Sequence, residues 1–128
     1  MYRLLGDIVI DTDELIEKFS EHQIKVIENV TNAAKRDDAV AFRIAAPLEE
    51  LGGSGMVLDE ERMDQLMQKA EMLYAEKIRP HLEERLSYRL YAYHYNEVED
   101  AVILNLVIMD REIGRRKLDD VIKRLLDV

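Results

Sequence analysis

Three histidines, His22, His81 and His94, are the only imidazoles in the 128-residue chain, and there is no cysteine at all. Disulfides, thiolate nucleophiles and cysteine zinc sites are therefore excluded. His81 with Glu84 and His94 with Glu97 each have a His-x-x-Glu spacing that would suit a carboxylate-histidine metal site. On one helix, however, positions 81 and 94 point about 220° apart, so they cannot share an ion without a break in the helix. The Glu-x-x-His order of di-iron bundles is absent. The expectation is surface histidines beside acids, with no metal and no cofactor.

Nucleophiles are equally poorly framed. Ser20, Ser54, Ser87, Thr12 and Thr31 are available, and none lies in a Gly-x-Ser-x-Gly turn. Gly52-Gly53-Ser54-Gly55 before a helix has the look of a phosphate cradle, but Asp59, Glu60 and Glu61 occupy the helix start and would repel an anion. That segment reads as a flexible loop at about 52–57. A cluster of Arg111, Arg115, Arg116 and Lys117 would grip a phosphate backbone or an acidic partner. Asp119 and Asp120 dilute it, and the net charge of −9 opposes nucleic acid at long range, so the cluster reads first as dipole compensation at a helix C-terminus.

The feature with most content is the segment Pro80 to Tyr95. Read as a helix, it places Leu82, Leu86, Leu90 and Tyr93 on one core-facing side. Tyr88, Tyr91 and Tyr95 then fall at about 240°, 180° and 220° from Leu82, and His81 and Glu84 join them. Tyrosine joins a large apolar ring to a polar tip and is favoured at protein interfaces. This second stripe is the candidate interaction face, with packing beneath the first helix or the Gly52 loop as the structural alternative.

The elements that would position these residues read as helices. Asp11 and Glu14 have capping-box spacing, and Ile16, Phe19, Gln23, Val26, Ile27, Val30, Ala33 and Ala34 recur every three or four residues after them, predicting about six helical turns. Ala39–Ala46 is ambiguous between helix and strand and is read as a short helix. Asp59 caps a helix with Met63, Leu66, Met67, Ala70 and Leu73 on its apolar side, and Pro80 breaks it. Asn96 and Glu99 repeat the capping-box spacing. Val98 to Ile113 is then apolar in every direction, which predicts a hub helix buried all round and ended by Gly114. A last helix carries Leu118, Val121, Ile122 and Leu125 on one stripe.

The reading is thus an all-α, single-domain bundle, residues 1–128, of five or six helices around the hub. At 48% hydrophobic and 35% charged residues the composition is that of a globular chain with a solvated exterior. Its longest apolar run, Ala101 to Met109, is too short for a bilayer crossing, and the N-terminus lacks a signal-peptide core, so a cytoplasmic protein without membrane insertion is expected. Few Asn, no Trp and many Glu, Lys and Arg fit a heat-loving prokaryote. The expected function is a non-catalytic interaction module, a small subunit, adaptor or homo-oligomer whose partner is a protein. The alternatives are a metal-binding protein or enzyme using His81, His94 and nearby glutamates, and regulatory nucleic-acid binding through Arg111 to Lys117.

Overall fold

The computed structural model describes residues 1–53 and 58–126. A hairpin of β1 (Tyr2–Leu5) and β2 (Ile8–Asp11) leads into helix α1 (Thr12–Glu21), strand β3 (Lys25–Asn29), a 3₁₀ turn at Thr31–Ala34 and strand β4 (Ala39–Pro47). Helix α2 (Glu60–Ile78) and a 3₁₀ turn at Arg79–His81 follow. The chain then runs through strands β5 (Leu86–Asn96) and β6 (Ala101–Asp110) and ends in helix α3 (Arg111–Leu126). Apart from the hairpin, the strands form one antiparallel sheet in the order β3-β4-β6-β5.

The all-α bundle is therefore overturned, and β6 shows why. All nine residues from Ala101 to Met109 are buried, as the hub reading required, but they reach the core on two sides of a strand. Val102, Leu104, Leu106 and Ile108 face the cluster containing Phe19 of α1 and Leu66, Ala70 and Tyr74 of α2. Val107 and Met109 face Val121, Ile122 and Leu125 of α3. A central strand covered on both faces has no polar side to display, so its sequence is as uniformly apolar as that of a buried helix. Val98, assigned to the hub, is 94% exposed in the β5–β6 turn.

Three further boundaries are corrected. The first helix stops after ten residues rather than about six turns, because Gln23 adopts a left-handed φ of 63° and the β-branched Val26 and Ile27 continue in β3. Ala39–Ala46 is strand rather than helix: Val40, Phe42, Ile44 and Ala46 alternate onto the α1–α2 side, and Ala39 and Ala41 onto the α3 side. Pro80 breaks α2 as expected, but the chain beyond it, read as a second helix to Tyr95, becomes β5.

Several local signals hold. Asp11 caps α1, accepting from Asp13 N at 3.0 Å, and Asp59 caps α2, accepting from Arg62 N at 2.9 Å. Gly52 takes the expected left-handed conformation at φ 73°. The Asn96 side chain accepts from Glu99 N at 3.0 Å, but inside the β5–β6 turn and not at a helix start. Of the expected flexible loop, residues 54–57 lie outside the described residues.

Where α3 ends, a polar row crosses its face of the sheet. Register pairs Glu28 with Arg43, Arg43 with Asn105, and Asn105 with Tyr91. Arg43 donates to Glu28 Oε2 at 3.0 Å, to Asn105 Oδ1 at 3.4 Å and to the Leu125 carbonyl at 3.4 Å. Its guanidinium thus satisfies one of the free carbonyls of the last turn of α3.

Candidate functional site at the free edge of the sheet

Among the described residues, strand β5 has β6 on one side and no strand on the other. In an antiparallel pair, alternate residues turn their N–H and C=O groups away from the partner. Ala92 is one of these, since the bond from Arg111 N to the Arg85 carbonyl sets Arg85 and every second residue after it toward β6, and the Glu71 carboxyl on α2 lies near the Ala92 N–H. Leu90, Tyr88 and Leu86 share its parity, before the register shift between Ala92 and His94. Leu86 N–H bends back onto the Glu83 carbonyl at 3.0 Å. The outward groups of Tyr88 and Leu90 open into a cleft of about 930 Å³ between α2, the turn after it, and the first residue of α3.

The side chains on the two flanks of this edge differ in kind. On the α2 flank stand Leu82, Leu90, Ala75 and Tyr88, whose hydroxyl donates to the Ala75 carbonyl at 2.8 Å. Arg79 hydrogen-bonds to the same phenol oxygen, which raises the guanidinium pKa further. On the α3 flank stand Arg89 and Arg111, with Arg89 held to Asp119 at 3.0 Å. Glu71 has its carboxyl pushed above the usual range by burial, against the pull of the Arg89 charge and the Ala92 N–H.

A carboxyl of raised pKa in a cleft is a common mark of an acid–base site, so the neighbouring chemistry decides its meaning. Ser87 is the hydroxyl nucleophile at the cleft, and its Oγ is buried with no hydrogen-bond partner among the described residues. A Cβ placed on Gly114 would run into that oxygen, so α3 closes directly over it. Among the described residues no carboxylate or imidazole is hydrogen-bonded to it. The Glu71 carboxylate is instead spent on a strand-edge amide that would otherwise lack a partner.

The five residues expected on one helix face are dispersed by the strand's two-residue period. Tyr88 and Glu84 do meet at this cleft. Tyr95 is on the α2 side but beyond the register shift, its hydroxyl donating to Asp100 Oδ1 at 2.7 Å. Tyr91 lies on the opposite side of the sheet, across from Asn105, and is 39% exposed. His81 packs against His22, ring centroids 4.2 Å apart, and not against His94, which pairs with Ile103 in the far half of β5.

The basic cluster Arg111 to Lys117 occupies the first half of α3, not a helix C-terminus, so it does not compensate a dipole. No three His, Asp or Glu side chains gather as a metal site among the described residues, and no described helix is long and apolar enough to cross a membrane. The residues that sequence reasoning missed, Glu71, Arg79 and Arg89, carry no motif. Their relevance arises only from α2 lying beside the outer edge of β5. Comparison of this chain with family models, with curated proteins and with solved structures finds no match.

Proposed function

We propose that this chain is a non-catalytic protein-interaction module whose β5 edge receives an extended segment of a partner protein. The observation that carries the reading is the outward backbone of Tyr88 and Leu90, which pairs with no strand among the described residues and borders the cleft. Strand addition to such an edge takes its affinity from main-chain hydrogen bonds and its specificity from pockets at alternate side chains. The flanks define those pockets. One is apolar, with Leu82, Ala75 and Leu90, and the other carries Arg111 and the Asp119-paired Arg89, with Glu83 and Glu84 at the rim of the same cleft. The partner segment therefore alternates apolar and acidic residues.

Selection from a displayed library of random peptides tests this directly. Enriched peptides should show that alternation and bind the wild-type chain. Leu90→Pro removes an outward amide that β6 does not use, so it should abolish binding while preserving the circular dichroism spectrum. Arg89→Glu should shift the preference from acidic to basic peptides. A library that yields no binder, or binders indifferent to both substitutions, removes the proposal.

A further inference from the structure

The C-terminal ends of α1 and α2 converge on two imidazoles, at a place separate from the β5 edge. His22 is the C-cap residue of α1, and His81 closes the 3₁₀ turn that continues α2. Although 81 − 22 = 59 positions apart in the chain, their ring centroids lie 4.2 Å apart with the planes inclined at 49°. The Phe19 ring stands edge-on to His81 at 6.1 Å and fixes that imidazole from another side.

His22 Nδ1 lies 2.8 Å from the Lys18 carbonyl, which can only accept, so Nδ1 carries the proton and donates it. Its Nε2 is then left with a free lone pair. A backbone carbonyl that orients an imidazole through its other nitrogen is the usual support behind a metal-ligating histidine. Both helices also end here, and a helix C-terminus bears a partial negative charge that favours a cation. Two nitrogens bound to one tetrahedral ion at about 2.0–2.1 Å stand about 3.4 Å apart. Rings bound in this way have centroids about 5 Å apart, so His81 has to swing outward by about 1 Å from its present 4.2 Å, His22 being held by the Lys18 carbonyl.

We infer that His22 and His81 form a two-imidazole site for a divalent transition metal of the nickel, copper and zinc class, with water completing the coordination shell. Hard cations such as Mg²⁺ and Ca²⁺ are disfavoured, since they require oxygen ligands. The bound ion would tie the end of α1 to the end of α2. Lys18, on the turn before His22, opposes it and keeps the affinity modest.

Calorimetric titration of the intact chain with Zn²⁺ and with Ni²⁺ at pH 7.5, beside thermal unfolding with and without metal, tests the site. One ion per chain is expected, with a rise in Tm. His22→Ala and His81→Ala should each weaken binding by at least about tenfold and remove the Tm rise. His94→Ala should leave both unchanged. His22 is exposed, so its replacement does not put folding at risk. Absence of binding up to millimolar metal, binding that survives both substitutions, or loss of binding with His94→Ala would overturn the inference.

Discussion

Gly114 sets how closely α3 approaches β5, because a methyl group there would occupy the space of Ser87 Oγ. Alanine is the better helix former by about 1 kcal/mol, but overpacking a buried contact costs about 1–3 kcal/mol, so the clash should win. Gly114→Ala is expected to lower the urea midpoint, and adding Ser87→Gly should restore most of the loss. Additive effects in that double-mutant cycle would mean that the two residues do not touch. Glu71 provides a second test at this scale. Its carboxyl pKa is raised in the folded chain by burial, so the folded state binds the proton more tightly than the unfolded one. Ionised Glu71 therefore costs stability above its folded pKa, and that cost disappears as pH falls to the unfolded value near 4.5. Glu71→Gln keeps an acceptor for Ala92 N–H without the charge. It should be more stable than wild type at pH 7 and no more stable below about pH 4.5. An equal difference at both pH values would contradict this.

Among the elements, β6 is the one on which the others depend. It is hydrogen-bonded on both edges, by β4 and β5, and covered on both faces, by α1 and α2 and by α3. Its amides should open only with global unfolding and exchange most slowly in native-state hydrogen exchange. The outward amides of Tyr88 and Leu90 in β5 should exchange faster by orders of magnitude. Protection of these two equal to that of Leu104 and Leu106 would mean that the β5 edge is already covered. A Leu104→Ala substitution, at a side chain with no exposure, should cost about 2–5 kcal/mol. Both edge strands carry a register shift, but β3 contrasts with β5 in being five residues long against eleven, with a Lys25–Glu99 ion pair at 2.7 Å. Short and charged edges resist strand addition, so the two ends of the sheet are not equivalent docking lines.

At the scale of the whole molecule, three of the four strand pairings join consecutive strands and one, β4 with β6, is non-local. β4 joins β6 across the whole of α2, pairing Arg43 with Asn105, and α3 returns to hold Arg43 through the Leu125 carbonyl. Mixed chains with such contacts fold more slowly than helical bundles of similar size, which fold in microseconds to milliseconds. Stopped-flow refolding should resolve the main phase; completion within the mixing time would be the signature of the bundle that the sequence suggested. Parts of the architecture were legible before any tertiary contact was known. The caps Asp11 and Asp59, the left-handed Gly52 and the α3 stripe of Val121, Ile122 and Leu125 all stand where local pattern placed them. Each is decided within a few residues of chain, by a side chain reaching a nearby amide, by a glycine's freedom, or by a period of 3.6.

The sequence by itself determined that Ala101 to Met109 is buried, that thiol chemistry is absent, and where two helices begin. Only the tertiary structure decided that the buried run is a strand, since uniform apolarity records burial on every side and not the period of the backbone beneath it. Everything about the site followed from that decision. A 3.6-residue period gathers Tyr88, Tyr91 and Tyr95 on one face, and a 2-residue period interrupted by a register shift sends Tyr91 to one side of the sheet and Tyr88 to the other. The pairing of His22 with His81, and of Glu71 with Ala92, joins residues far apart in the chain. No spacing along the chain encodes such contacts; they exist because helices and strands pack against a common sheet.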